Sequence, residues 1–240
     1  MKKTIEKTYG KAVTNVMKAV NPVKKKMLNT HCNVHKYINV EALNILNNEG
    51  YDKQYDFYRN YIDKLNKGAH WIDQDFKSTN HFYHITKERG LYGFSNALTE
   101  CIKYYNKSIE EYNEKNINES MFFLGACCHL IQDVTVPHHV DNRLLKKHRP
   151  FEIWIVKEIL QNSEKYSVND GSKRYGNIDD YIKNNANTAR QIYYRYQDIE
   201  DEYKRYSKIS KEILGEAQKT TAGFLLDFYD KIINKKDNSK

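Results

Sequence analysis

Apolar residues recur along this chain at helical rather than alternating spacing. Val34, Ile38, Ala42, Ile45 and Leu46 share one side of a helix expected over 33–48. Tyr55, Tyr58, Ile62 and Leu65 do the same over 53–66. The pattern predicts further helices over 90–112, 118–134, 150–163, 179–196 and 199–233, the last turning Ala222, Leu225, Leu226 and Tyr229 inward. Pro137 stops the helix over 118–134. Residues 68–84 contain Gly68, Ser78, Thr79, Asn80 and many hydrogen-bonding side chains. They read as a loop, and loops carry chemistry more often than regular elements do. The stretch 164–178 is polar and reads as exposed. Near the start, Ile5, Val13, Val16, Met17 and Val20 fall close to helical spacing among lysines, and Asn21-Pro22 breaks the pattern. This basic extension, residues 1–30, either packs on its own domain or lies on a membrane surface. Residues 31–234 then form one domain, and 235–240 a disordered tail.

Composition sharpens the class. Only 10 Gly and 3 Pro occur in 240 residues, well below the average usage of roughly 12% for the two together. A turn-rich β architecture is therefore excluded in favour of an all-α bundle. Twenty Tyr and nine Phe supply bulky core material. No stretch approaches the roughly 20 apolar residues of a membrane span, and Glu6, Lys7 and Lys11 interrupt what would be the apolar region of a secretory signal. Four cysteines in a chain this long imply reduced thiols rather than a disulfide framework. The net charge of +8 suits a phosphate-rich partner, lipid headgroups or nucleic acid.

The chemistry concentrates in one segment, FFLGACCHLIQDVTVPHHVDNRLLKKHRPFEIWI. His129 and Asp133 stand four apart on a very apolar helix, which sets them on one face. His148 and Glu152 repeat the spacing, and His139 lies between, giving H-x3-D-x5-H-x8-H-x3-E. Any one pair reads equally as a hydrogen-bonded core histidine or a helix ion pair. Together they match a zinc site, because imidazole nitrogen and carboxylate oxygen are the ligands zinc accepts, and two His with one carboxylate leave a position open for water or substrate. Burying Asp133 unpaired would be costly, and a metal supplies the missing charge. Upstream, HWIDQDFKSTNHFYH offers His70, Asp73, Asp75, His81 and His84, and THCNVH offers His31 and His35.

These residues resemble the bacterial zinc-dependent phospholipases C, a family related to fungal single-strand nucleases. The resemblance runs from about His35 to Asp230 and is densest at HKYINVEALNIL, GAHWID, NHFYH, FFLGACCHLIQDVTVPHH, HRPFE and KTTAGFLLDFYD. It implies a compact bundle of about ten helices with two or three zinc ions in a cleft. His81, His129 and Asp133 would hold one ion, with Asp73 as a further ligand and the general base. His139, His148 and Glu152 would hold a second, and His35 a third that shares Asp133. In the family an N-terminal Trp completes that third site. No Trp precedes His35 here, and His31 is the candidate substitute. The implied reaction is hydrolysis of phospholipid, at a membrane surface, to diacylglycerol and a phosphorylated headgroup by a monomer. Single-strand nuclease activity and a non-catalytic zinc protein that binds membrane are the alternatives. The family is mostly exported, which the visible N-terminus does not announce.

Overall fold

The computed structural model describes the backbone of residues 21–74, 80–90, 95–141 and 145–237, and side chains within those spans from 33 to 233 apart from 145–146. The helix expected over 4–20 and the side chain of His31 lie outside the described residues. Among the described residues, nine α-helices and one 3-10 turn (Ser163–Tyr166) account for most of the chain. No strand occurs among the described residues, only an isolated antiparallel bridge between His84 and Arg89. No described helix is long and apolar enough to cross a membrane.

Helix α1 spans Asn21–Asn48, with Asn21-Pro22 at its start and the residues before it outside those described. The segment expected as one helix over 53–66 is two, α2 (Asp52–Arg59) and α3 (Ile62–Ile72). The chain breaks at Asn60 and Tyr61, because this turns buried Tyr58 and buried Leu65 into the same core. Tyr58 also donates its hydroxyl to the Leu225 carbonyl at 2.7 Å. Helix α3 runs five residues into the expected loop. Helix α4 (Ala97–Asn113) starts later than 90, where the Asn96 side chain accepts from the Thr99 N–H at 2.8 Å and caps it. Helix α5 (Ile117–Asp133) follows. Pro137 does more than stop α5, since it opens the short helix α6 (Pro137–Val140) at a position where its missing N–H forfeits no bond. Helix α7 (Leu145–Asn162) begins before 150 and holds Pro150 in its first turns. Helices α8 (Ile178–Tyr196) and α9 (Glu202–Asp237) close the chain. The polar stretch before α8 is tied down: Glu49 accepts from the Gly171 and Ser172 N–H groups at 2.6 and 2.8 Å, and Arg174 pairs with Asp227 and Asp230 at 2.6 Å each.

Two apolar clusters form. The larger gathers the C-terminal half of α1 with α2 to α5, α8 and the end of α9. The smaller joins Val34 and Ile38 of α1 to Phe151, Ile155 and Ile159 of α7 and to Ile209 and Ile213 of α9. Cys101, Cys127 and Cys128 are buried free thiols. Within the larger cluster α3 and α5 touch backbone to backbone. A Cβ on Gly68 would stand 1.8 Å from the Phe122 carbonyl oxygen, and one on Gly125 would stand 2.0 Å from that of Leu65. Both glycines are thus required by proximity. The close crossing carries the end of α3, Ile72 and Asp73, to the side of α5 that bears His129.

Gly125→Ala forces these backbones apart and is expected to destabilise the fold by about 3 kcal/mol, at the upper end of overpacking costs. Urea unfolding measures it, and a loss below about 0.5 kcal/mol would show that the crossing tolerates a side chain.

Candidate metal centre

The centre is built outward from α5. His129 and Asp133, one turn apart near its C-terminus, are both buried. Helix α1 brings His35 across, and its ring stacks on that of His129 with centroids 3.8 Å apart. Residues 80–83 deliver buried His81, and Tyr83 donates its N–H to the His139 carbonyl at 3.0 Å. The turn that Pro137 opens places His139, and α7 places His148 and Glu152 on one face.

Asp133 is the hub. Its Oδ2 lies 2.7 Å from His81 Nδ1, 3.0 Å from His129 Nε2 and 3.6 Å from His139 Nδ1, while Oδ1 faces His35 Nε2 at 3.4 Å. His139 turns its other nitrogen to the second carboxylate, with Nε2 at 3.4 Å from Glu152 Oε1 and 2.7 Å from His148 Nε2. His148 Nε2 stands 2.5 Å from the same Glu152 oxygen. Asp73, half-buried at the end of α3, joins His81 and His129. Three sets of donor atoms result, each with every atom within 4.8 Å of the others: His35, His129 and Asp133; Asp73, His81 and His129; His139, His148 and Glu152. All eight candidate ligands described in the structure are therefore gathered, and His129 serves two sets. His70 and His84 join none of them.

The donors fit a divalent cation. His81 Nε2 lies 3.2 Å from the Ile72 carbonyl, which can only accept. In the neutral imidazole the proton therefore sits on Nε2, leaving a lone pair on Nδ1 aimed at Asp133 Oδ2. Two lone pairs 2.7 Å apart require a proton or a cation between them. Oδ2 is buried and no donor is aligned on it, although three imidazole nitrogens crowd it. A cation seated between Asp133 Oδ2 and the facing His81 and His129 nitrogens answers these contacts. Tetrahedral zinc ligands at roughly 2.0–2.1 Å stand about 3.3 Å apart, in keeping with the separations here.

Electrostatics follow burial. Burial pushes the His129 imidazole down to about 3, against the pull of Asp133. Burial would raise Asp133, but His129 and His139 outweigh it and hold the carboxyl well below the usual range. Burial would lower His139, but Asp133 and Glu152 outweigh it and raise that imidazole. His138, which the motif did not single out, is also buried and is pushed down to about 3. It packs against Phe151 with ring centroids 4.7 Å apart. Phe82 stacks on His139 at 4.9 Å and 12°. Both residues wall the site, and the HFYH and PHH stretches held the signal for them. A cavity of about 40 Å³, room for a few waters, opens beside His35, Asp133, His139 and Glu152.

Comparison with known proteins places this arrangement. A family model described as zinc dependent phospholipase C matches residues 34–210. A phospholipase C of Listeria monocytogenes is 24% identical over 218 residues, spanning 83% of this chain and 73% of that protein. A phospholipase C of Clostridium perfringens is 23% identical over 206 residues, 79% of this chain and 49% of that protein. Among solved structures, an alpha toxin from Clostridium absonum superposes with a TM-score of 0.73 at 18% identity, and a C. perfringens alpha-toxin from an avian strain with 0.70 at 18%. They cover 84% and 85% of this chain, which spans 65% of each toxin.

The shifted histidines give stability a pH dependence. In the metal-free protein His129 and His138 titrate at about 3, against about 6.5 when unfolded. Between those limits the unfolded chain binds up to two more protons, so stability falls as pH drops from about 6.5. The raised His139 acts oppositely: its contribution is present below about 6.5 and is lost as pH climbs through its folded value. For chelator-treated protein the urea midpoint is expected to fall between pH 7 and pH 5. A constant or rising midpoint would mean that His129 and His138 are not held neutral.

Proposed function

This chain belongs to the zinc-dependent phospholipase C family, and from that premise we propose that it hydrolyses phospholipids to diacylglycerol and a phosphorylated headgroup at the centre around Asp133. The observation that carries the reading is the convergence of three imidazole nitrogens on one buried carboxylate oxygen. The names of the Listeria and Clostridium relatives supply the substrate class.

Up to three zinc ions are proposed. His81, His129 and Asp133 would hold one, with Asp73 as a further ligand, and His139, His148 and Glu152 a second, while His35 would hold a third that shares Asp133. His31 is retained as a candidate further ligand of the third ion. Zinc bound there neutralises phosphodiester oxygens and makes water acidic enough to furnish a nucleophile near neutral pH. The chain's own groups do the rest. Asp133 and Glu152 fix the spacing of the donors, and their charges would only partly offset those of the zinc ions, leaving the centre cationic enough to attract an anionic diester. The tight carbonyl contact of His81 keeps its Nδ1 free. Asp73 lies at the edge of the centre rather than in its floor, so it orients the attacking water and takes its proton. Water oxygen bonds to phosphorus, the bond from phosphorus to the glycerol oxygen breaks in line, and the glycerol oxygen takes up the proton that Asp73 removed from water and leaves as the alcohol of diacylglycerol. Residues 31–234 are proposed as the catalytic domain. One chain carries the whole donor set, so a monomer suffices.

Asp73→Asn is expected to lower hydrolysis of phosphatidylcholine vesicles about 10²–10⁴-fold, the range for losing a general base, with the helical circular dichroism unchanged. Chelator dialysis should abolish activity and added zinc restore it. Preferential cleavage of single-stranded DNA in a parallel assay would reassign the substrate to nucleic acid. Full activity after chelation, or in Asp73→Asn, would end the reading.

A further inference from the structure

We propose that Gln132 is a positioning residue that sets the proton of His35, and that it does so as the end of a buried amide relay reaching through three other helices. The inference rests on the reading of His35 as a zinc ligand. Gln132 precedes Asp133 on α5 and is almost fully buried. Its Oε1 lies 2.8 Å from His35 Nδ1. Its amide nitrogen donates to Asn39 Oδ1 at 2.8 Å and to Thr221 Oγ1 at 3.1 Å. Asn39, one turn beyond His35 on α1, donates in turn to Asn66 Oδ1 of α3 at 3.0 Å.

The polarity of this chain decides the tautomer. Asn39 spends its amide donor on Asn66, so its oxygen faces Gln132 and can only accept. Gln132 must therefore present its nitrogen to Asn39 and its oxygen to His35. An oxygen there requires a proton on His35 Nδ1, which strips Nε2 and turns its lone pair toward Asp133 Oδ1 at 3.4 Å. That separation is longer than a direct hydrogen bond and leaves room for an ion. The partner of a ligating imidazole's second nitrogen fixes both ring orientation and basicity. His81 receives this service from a backbone carbonyl, whose direction cannot be reversed. His35 receives it from a side-chain amide, whose direction depends on Asn39 and Asn66. If the relay ran the other way, Nε2 would carry the proton and His35 could not bind a metal through it.

The test uses the zinc-loaded protein. Nitrogen-15 NMR of the His35 ring is expected to show Nδ1 protonated, and a proton on Nε2 would overturn the proposal without any variant. Zinc content is then followed at buffered free zinc. His35→Ala should lose one ion per chain; if it retains all of them, the reading of His35 as ligand fails and this inference with it. Gln132→Met keeps the volume but removes the acceptor, and is expected to weaken that same ion about 10–100-fold while the others hold, as for lost partners of metal-bound histidines. Gln132→Glu keeps an acceptor oxygen and should bind within about threefold of wild type, using the same scale. In the His35→Ala background, Gln132→Met should cost no further zinc. Wild-type affinity in Gln132→Met while His35→Ala loses an ion, or equal zinc loss from Gln132→Met with and without His35, would refute the positioning role.

Discussion

A carboxylate buried among four imidazoles is the constraint to which the rest of this molecule answers. Asp133 is buried apart from one small cavity, and an unpaired charge there would be costly. Its partners come from α1, the segment after α3, α5 itself and the Pro137 turn. Those elements have no freedom to drift, since a shift of one ångström leaves a charge or a lone pair unanswered. The backbone contact at Gly68 and Gly125 is one answer, because it brings Asp73 and the Ile72 carbonyl to the hub. Stacking of His35 on His129 and of Phe82 on His139 is another, holding ring planes that the metal ligands need.

The all-α class was legible from helical spacing and scarce Gly and Pro, because both act locally and survive any packing. The two i,i+4 pairs were legible for the same reason: a helix alone sets His129 beside Asp133 and His148 beside Glu152. What joins the pairs was not. That His129 belongs with Asp73 and His81 as well as with His35 depends on how closely α3 and α5 cross, and two glycines 57 positions apart in the chain announce nothing until they face one another. Helix ends moved for physical reasons too. The helix expected from 150 begins at Leu145, and α7 tolerates Pro150 within its first turns. The break at Asn60 and Tyr61 hid inside a periodic pattern because both flanking helices bury their apolar sides in the same cluster. Gln132 was overlooked beside the more obvious Asp133, although a glutamine flanked by Ile131 and Asp133 on a buried helix face needs partners as surely as a carboxylate does.

The two apolar clusters explain why the donors divide as they do. His129 and Asp133 end a helix that lies in the larger cluster, whereas His148 and Glu152 ride on α7, which packs into the smaller one. Helix α1 passes through both, with His35 between Val34 and Ile38 in the smaller cluster and Leu43 to Leu46 in the larger. His139 stands at the seam and faces each way, one nitrogen toward Asp133 and the other toward Glu152 and His148. Metals at this seam would tie two separately packed bodies together, so binding energy there is also folding energy. The coupling runs in both directions: the apolar packing of α7 sets how far Glu152 stands from His139, and the charge at Asp133 sets how near α1 may come. A centre made this way keeps most of its geometry without a rigid loop, because every donor except Asp73 and His81 is held by a helix that the core already holds for its own reasons.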